Sequence, residues 1–333
     1  MKMNWGILST GRIAETFAAS VLQSNTGRLA AVGSRSIEKA KDFAKRYRIP
    51  KAYGSYEDLL ADPEVEAVYI ATPHPSHAEW CIKAARSKKH ILCEKPLTMN
   101  VRETQRVLEA AQRNRVHLLE AFAYRFHPQT AKLLELIRRG AIGEVRFIQG
   151  TFFFNAAFDP KSRLFNKKLG GGAILDIGCY PVSMARLIAG AARGKPFADP
   201  VKVQGVGHIG RSGVDEWAAA LLKFPGDILA EVSCGVRVER ETLLRVRGSK
   251  GSITVTSPWA CGLKKGKTLI FLEKQGKVQK LEVKSDRGLY IYEADALAAS
   301  VKRGKTQSPA MNWADSLGNA RVLDLWLRSL AGR

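Results

Sequence analysis

Residues Gly6–Ala14 form a short glycine- and hydroxyl-containing segment between an apolar run and a stretch with helical spacing. In a dinucleotide fingerprint, such a turn lets backbone N–H groups and a helix N-terminus approach a pyrophosphate. Gly11 fills the close-approach position and Ala14 the helix-packing position, whereas Ser9 replaces the first glycine. The motif alone also fits a purely structural turn. The residues predicted to bind cofactor here are Ser9, Thr10, Gly11, Arg12 and Ile13.

The choice between NAD and NADP depends on the end of the next strand, about 20 residues further on. Enzymes specific for NAD usually place a carboxylate there, but the segment Ala31–Ser36 contains none before Glu38. Ser34 can hydrogen-bond a 2′-phosphate, and Arg35 can make charge-assisted or stacking contacts. We therefore predict NADP in preference to NAD; the alternative is that Arg35 is a simple surface arginine.

Two further segments follow apolar runs: Ala71–His77 and Cys93–Pro96. In a doubly wound sheet, both would lie at the carboxyl ends of strands, where ligands bind. His77 also fits a capping or packing role at the cofactor rim. The cofactor-binding residues predicted in these segments are Thr72, Pro73, His74, His77, Glu94 and Lys95.

The elements that must position these residues alternate strictly along the first 120 residues or so. Amphipathic stretches separate the apolar runs, and this alternation predicts crossover units and a parallel sheet flanked by helices. The predicted strands are Asn4–Ser9, Leu29–Ser34, Val65–Thr72, His90–Glu94 and Val116–Phe122. The predicted helices are Arg12–Gln23, Ile37–Tyr47, Tyr56–Leu60, His77–Ser87 and Val101–Arg113.

After Arg125 the pattern changes to a long strand at Glu144–Phe154, a helix near Asp176–Ala189, and successive strands between Val201 and Val283. Turn residues between these strands predict hairpins, hence a largely antiparallel open sheet. The fold class is therefore α/β with two domains. Residues 1–122 are predicted to form an NADP-binding Rossmann domain and residues 123–333 an α+β domain for substrate binding and dimerisation, including closing helices near Ile291–Lys302 and Trp313–Leu330.

Composition excludes several classes of protein. The chain has 333 residues, 45% of them apolar, and five scattered cysteines, which predicts neither a disulfide framework nor a zinc site. The histidines and acids show no metal-ligand spacing, and no apolar run is long enough for a membrane helix. We predict a cytoplasmic protein without metal. The +22 charge is spread along the chain and is interpreted as a solvated basic surface that attracts anionic ligands; the alternative is a nucleic-acid binder.

Taken together, the Gly6–Ala14 turn, Glu94-Lys95-Pro96 and the run Asp176–Pro181 resemble the glucose-fructose oxidoreductase/inositol dehydrogenase family of NAD(P)-dependent dehydrogenases. The resemblance covers essentially the whole chain. Tyr180, where many relatives carry histidine, favours the dihydrodiol, xylose and glucose-fructose branches over the inositol branch. The runs Ile49–Tyr56 and Glu120–Phe126 look closest to the dihydrodiol and NADP-dependent D-xylose dehydrogenases.

The resemblance implies which residues perform the chemistry. Tyr180 matches the family's catalytic acid/base, and because a phenol has a pKa near 10, it needs a neighbouring cation, which Lys95 supplies. Asp176, one turn before Tyr180, helps fix the polar network. Gly170–Gly172 looks like the family's glycine-rich lead-in, although a hinge or a mere turn fits as well. The residues predicted to bind substrate are Arg125, Phe126, Arg163, Asp176 and Tyr180.

The predicted function is reversible hydride transfer between NADP and a secondary or hemiacetal alcohol, on a sugar such as D-xylose or on a cyclic trans-diol. Alternatives within the enzyme class are reduction of a sugar-derived ketone or dicarbonyl such as 1,5-anhydrofructose, or an inositol-type dehydrogenase. A non-enzyme alternative is an NADP-binding sensor. A homodimer or homotetramer is expected from the family, and neither nucleic acid nor membrane is a predicted partner.

Overall fold

The alternating segments at the start of the chain form a parallel six-stranded sheet, as predicted. The computed structural model describes residues 2–330. The strands of this sheet are β1 Met3–Leu8, β2 Gly27–Gly33, β3 Lys51–Tyr53, β4 Ala67–Ile70, β5 His90–Glu94 and β6 Leu118–Ala121. They are ordered β3-β2-β1-β4-β5-β6, so the strand order reverses between β1 and β4. In a doubly wound sheet, ligands bind at the carboxyl ends of the strands beside such a reversal.

Helices connect these strands and cover the sheet. They are α1 Arg12–Val21, α2 Ile37–Tyr47, α3 Tyr56–Ala61, α4 His77–Arg86 and α5 Val101–Asn114. The central strand β4 is buried along its whole length, as expected for a parallel sheet covered on both faces. The edge strand β3 was missing from the prediction, because its three half-buried residues show no apolar run.

The second half of the chain forms an eight-stranded sheet with helices packed on it. In chain order, its elements are α6 Pro128–Arg138, β7 Val145–Asn155, α7 Cys179–Ala191, β8 Lys202–Ile209, β9 Asp215–Lys223, β10 Leu229–Gly235, β11 Arg237–Gly248, β12 Ser252–Val255, β13 Gly266–Lys274 and β14 Lys277–Ser285. The order is β14-β13-β12-β11-β7-β10-β9-β8. The β7–β10 pair is parallel and the other pairs are antiparallel, which confirms the predicted mostly antiparallel sheet.

Two helices close the described chain: α8 Leu289–Lys302 and α9 Trp313–Leu330. The chain divides into two units, whose bounds differ from those of the predicted domains. The first unit is the chain up to Thr98 with Arg102–Ala123 and Arg287–Ser316; the second is Met99–Val101, Tyr124–Asp286 and the chain from Leu317.

Residues Arg287–Ser316, which the prediction places in the second domain, group with the first unit. Helix α8 packs against α1 and against strands β2 and β5 of the first unit. An apolar helix pattern shows that a helix is buried, but it does not show which sheet buries it.

The helix predicted at Asp176–Ala189 begins with an irregular turn. Residues Ile174–Gly178 form a π-helical turn that leads directly into α7. Such turns occur mostly as single insertions and frequently at functional sites. By length and hydropathy, Lys167–Ala191 could cross a membrane, but 94% of its apolar window is buried inside the protein, as expected of a core helix. Within residues 2–330, no group of three or more metal-ligating side chains is placed to hold a metal ion.

Candidate active site

The β1–α1 turn of the first unit contains the serine that replaces the first glycine of the fingerprint. Ser9 has a φ of +121°, a conformation in which glycine is the usual residue. The Ser9 N–H donates to the carbonyl of Gly33 at 3.1 Å, and the Ser9 Oγ accepts from the Gly11 N–H at 3.2 Å. Gly11, the N-cap of α1, has no side chain to occupy the first N–H groups of the helix. Those N–H groups can therefore donate hydrogen bonds to an anion, as the sequence predicts.

At the end of β2, the structure brings Ser34 and Arg35 to the same edge of the sheet. Ser34 is buried, and its Oγ accepts from the Ser36 N–H at 3.4 Å, whereas Arg35 is exposed. Glu38, the first carboxylate after β2, accepts from the Ser36 hydroxyl at 2.7 Å in the first turn of α2. This carboxylate is thus engaged within its own helix.

His77 joins the loop after β4 to the loop after β5. Its Nδ1 lies 3.0 Å from the carbonyl oxygen of Pro96, and its Nε2 lies 2.9 Å from that of Thr72. Burial lowers the pKa of His77 to about 4, so the ring is neutral and has one N–H to donate. The ring of His74 packs against that of His77 with centroids 5.6 Å apart. His77 therefore packs between the two loops, which is one of the roles that the sequence suggests for it.

The structure turns Glu94 toward the interior of the first unit. Its carboxylate, 8% exposed, accepts a hydrogen bond from the buried Tyr69 hydroxyl. Burial and the neighbouring carboxyl groups of Glu94 and Glu293 raise the pKa of Tyr69 well above its usual value. Lys95, the next residue, is only half-buried, and its bond to Pro96 is cis. Lys95 is therefore the more accessible of the two predicted cofactor residues in this motif.

In the second unit, an aromatic cluster surrounds Tyr180. The rings of Tyr124, Phe152 and Trp259 have their centroids 5.9, 5.4 and 6.1 Å from that of Tyr180. Trp259 is itself fixed, because its indole N–H donates to the Thr151 carbonyl at 2.8 Å. Tyr180 remains half-exposed. Sequence analysis missed this cluster, since its members come from four separate segments and carry no local motif.

The π-helical turn places Asp176 beside Arg163, and a 2.9 Å ion pair joins them. Two of the predicted substrate residues are thus brought together one turn before Tyr180. Arg125 has a different environment: its buried guanidinium donates to the Ser183 hydroxyl and carbonyl of α7 at 2.8 and 3.0 Å. Phe126 ends the short 3-10 helix Ala123–Phe126 and is half-buried.

The chain is similar to known proteins along its whole length. Residues 3–122 match the model of an oxidoreductase family with an NAD-binding Rossmann fold, and residues 130–254 match the GFO/IDH/MocA C-terminal domain. The chain is 34% identical over 341 residues to trans-1,2-dihydrobenzene-1,2-diol dehydrogenase from Xenopus tropicalis, which covers 99% of this chain and 98% of that protein.

Two solved structures are similar to the chain. A 3-ketoreductase from Actinomadura kijaniata, crystallised with NADP and TDP-benzene, has a TM-score of 0.88 and 25% identity over 99% of this chain and 98% of its own. An aldose-aldose oxidoreductase from Caulobacter crescentus, complexed with glycerol, has a TM-score of 0.88 and 27% identity over 100% of this chain and 99% of its own. The resemblance found in the sequence is confirmed, and the chain belongs to the GFO/IDH/MocA family of nicotinamide dinucleotide-dependent oxidoreductases.

Proposed function

We propose that the protein transfers a hydride between NADP and a secondary or hemiacetal alcohol of a sugar or of a cyclic trans-diol. The single observation that carries this proposal is the placement of Tyr180. The phenol is half-exposed, its ring is held by three other aromatic rings, and it follows the Asp176–Arg163 ion pair by one turn. The diol and sugar activities in the names of similar proteins support the substrate class.

The first unit fits a dinucleotide at the carboxyl edge of its sheet. The open turn at Ser9–Gly11 and the α1 N-terminus suit a pyrophosphate. The buried Thr72 hydroxyl has no hydrogen-bond partner among the described residues, so it is available to a ligand at this edge. The residues that would hold the cofactor are Ser9, Thr10, Gly11, Arg12, Ile13, Ser34, Arg35, Thr72, Pro73, His74, His77, Glu94 and Lys95.

NADP is the proposed cofactor because the end of β2 offers Ser34 and Arg35, while Glu38 is held by Ser36. An arginine facing a 2′-phosphate makes charge-assisted hydrogen bonds worth about 1.5–3 kcal/mol. Arg35→Ala should therefore weaken NADPH binding by about tenfold or more and leave NADH binding unchanged. Equal losses for both cofactors, measured by titration calorimetry, would contradict this preference.

The proton chemistry belongs to the chain's own residues. When bound, the dinucleotide supplies the nicotinamide carbon that exchanges a hydride with the substrate carbon. For oxidation of an alcohol, Tyr180 takes the hydroxyl proton on its phenolate oxygen; for reduction, it returns that proton. The proposal assigns to Lys95 the positive charge that stabilises the phenolate and orients the substrate oxygen. Asp176, paired with Arg163, holds the polar network at the start of α7.

The test compares Tyr180→Phe and Lys95→Ala with wild type, following NADP+ reduction at 340 nm on a panel of aldoses, inositols and trans-cyclohexanediol. Loss of turnover by at least about 100-fold in both variants, with NADPH affinity retained by Tyr180→Phe, is expected. Tyr47→Phe and Lys88→Ala, outside the proposed site, are matched controls. Full turnover in Tyr180→Phe would overturn the assignment of the acid/base.

A reductase of a sugar-derived ketone or dicarbonyl is the second candidate, favoured by the similarity to a 3-ketoreductase. It uses the same residues in the opposite direction, so NADPH oxidation with carbonyl substrates tests it on the same variants. An inositol-type dehydrogenase would show turnover on the inositols of the panel. Tight NADPH binding without turnover on any alcohol or carbonyl would favour an NADP-binding sensor.

The remaining proposals concern assembly and location. One face of the eight-stranded sheet exposes Val206, Trp217 and Leu221; the β8–β9 register places Val206 opposite Ala219, which lies between Trp217 and Leu221 along β9. Such a face suits pairing with a second copy, and we propose a homodimer or homotetramer, to be measured by analytical ultracentrifugation. The five cysteines, all within residues 2–330, are buried and form no disulfide, which suits the reducing cytoplasm.

A further inference from the structure

The proposed mechanism leaves several buried acids unused, and Asp215 is one of them. Asp215 is the first residue of β9 and is 4% exposed. Its Oδ2 accepts a hydrogen bond from the Ile174 N–H at 2.6 Å, and the Ala173 N–H also donates to this carboxylate. These two N–H groups lie at the start of the π-helical turn that contains Asp176 and leads to Tyr180.

The glycine-rich segment before the turn is shaped to admit this carboxylate. Gly172 has a φ of +115°, and a Cβ atom on it would lie 2.2 Å from Asp215 Oδ1. Glycine is therefore required here both by the backbone conformation and by the close approach. Sequence analysis left Gly170–Gly172 as a glycine-rich lead-in, a hinge or a turn. In the structure, Gly172 makes room for Asp215.

The first N–H groups of a helical segment have no partner within the segment, and a negative charge beside them is stabilising. We propose that Asp215 is a positioning residue: by holding the Ala173 and Ile174 N–H groups, its carboxylate fixes the turn that places Asp176 and Tyr180 for hydride transfer. This inference rests on the proposed function, because it assigns Asp215 a task in that reaction. Asp215 itself acts through the backbone rather than on the substrate.

The same contact makes the positioning dependent on pH. Burial raises the pKa of Asp215 to about 6. The charge of Asp215 contributes to the raised pKa of the Cys234 thiol, on which Cys179 and Asp176 also act; Asp176 is paired with Arg163. Below about pH 6, Asp215 gains a proton and its hold on the two N–H groups weakens. Turnover should therefore fall as the pH is lowered below about 6.

This loss of turnover is distinct from acid unfolding. The pKa of Asp215 is higher in the folded chain than its usual 3.8, so the folded state binds more protons between these values. Through this group, the free energy of unfolding increases as the pH falls through about 6. An acid-side loss of kcat without unfolding is the expected signature.

The experiment uses Asp215→Asn, which keeps the shape of the side chain and removes its charge. The expected result is a kcat about 10- to 100-fold lower, the effect of misplaced catalytic groups, with NADPH affinity unchanged. The acid limb of the wild-type kcat profile near pH 6 should disappear in the variant. Glu216→Gln is the matched control, because this neighbouring buried acid faces Arg237 at 3.9 Å, and its kcat should stay within about threefold of wild type.

A second measurement does not depend on turnover. Hydrogen–deuterium exchange of a peptide spanning residues 172–180 should be faster in Asp215→Asn than in wild type, and faster in wild type below pH 6 than above it after correction for intrinsic rates. Unchanged exchange together with unchanged kcat would overturn the role of Asp215. A wild type inactive on every substrate would overturn the proposed function, and exchange alone would then decide whether Asp215 holds the turn.

Discussion

The carboxyl edge of the six-stranded sheet and the aromatic cluster around Tyr180 are built in opposite ways. At the edge, short contiguous loops follow parallel strands and are held by local contacts to backbone carbonyls, as where the His77 ring lies between the carbonyls of Thr72 and Pro96. In the cluster, Trp259 and Phe152 come from distant segments and hold the Tyr180 ring by side-chain packing.

This difference in construction determines which substitutions each region tolerates. A loop held by backbone contacts tolerates many side chains but depends on local conformation, as at Ser9. A cluster held by large rings depends on the volume of each ring, because a buried cavity is left when one is removed. Substitutions should therefore separate the two regions: those in the cluster should affect turnover and stability, and those at the edge should affect cofactor affinity.

The largest effect is expected from Trp259→Ala. Trp259 is 3% exposed and contacts the rings of Tyr124, Phe152 and Tyr180. Removing a buried tryptophan costs about 3–5 kcal/mol of unfolding free energy. The loss should appear in urea unfolding, together with a fall in kcat of about 100-fold.

NADPH affinity of the folded Trp259→Ala variant should match that of wild type. Trp259→Phe is the control, since it keeps one aromatic ring and gives up part of the indole volume and the N–H bond to Thr151. If Trp259→Ala instead lowered NADPH affinity and left kcat intact, the assignment of turnover to the aromatic cluster and of cofactor affinity to the sheet edge would be wrong.

The same contrast explains what the sequence could predict. The parallel sheet and the loops at its edge follow from apolar runs in strict alternation, because topology alone brings the ends of parallel strands together. Gly11 and Ser34 could be selected from the sequence because each follows a predicted strand. The short strand Lys51–Tyr53 is not, because an edge strand of three half-buried residues leaves no periodic signal.

In the second unit, the resemblance rather than the spacing identified Asp176 and Tyr180. Their neighbours Trp259 and Asp215 could not be found from sequence, since pairing and packing across the eight-stranded sheet bring them near. Likewise, the pattern of α8 gave its helical character but not its place in the first unit. Long-range contacts, not local propensity, decide these positions.

A smaller effect is expected at the edge when the pH is lowered. Burial lowers the pKa of His77 from 6.5 to about 4. Between these two pH values, the unfolded chain therefore binds a proton that the folded chain does not. Stability contributed by neutral His77 is therefore present above pH 6.5 and is lost as the pH falls toward 4.

His77→Gln, which keeps one donor and does not titrate, should lose less stability than wild type on acidification. The two unfolding free energies should diverge by about 2–3 kcal/mol between about pH 6.5 and 4.5. Urea unfolding of both proteins at several pH values measures this. Parallel pH profiles would show that His77 is not buried as a neutral ring.

The smallest effect is expected from Ser9→Gly, which restores the glycine of the fingerprint. A residue other than glycine at a φ of +121° carries conformational strain, and relief of this strain is opposed by the greater entropy of glycine in the unfolded chain. The variant also loses the 3.2 Å hydrogen bond from the Gly11 N–H. These terms oppose one another, so the unfolding free energy should change by less than about 1 kcal/mol.

NADPH affinity should stay within about twofold if the backbone at this edge binds the cofactor, since the substitution preserves the turn. A tenfold loss by titration calorimetry would instead assign the Ser9 hydroxyl a direct contact, and the edge would then depend on side chains as the aromatic cluster does.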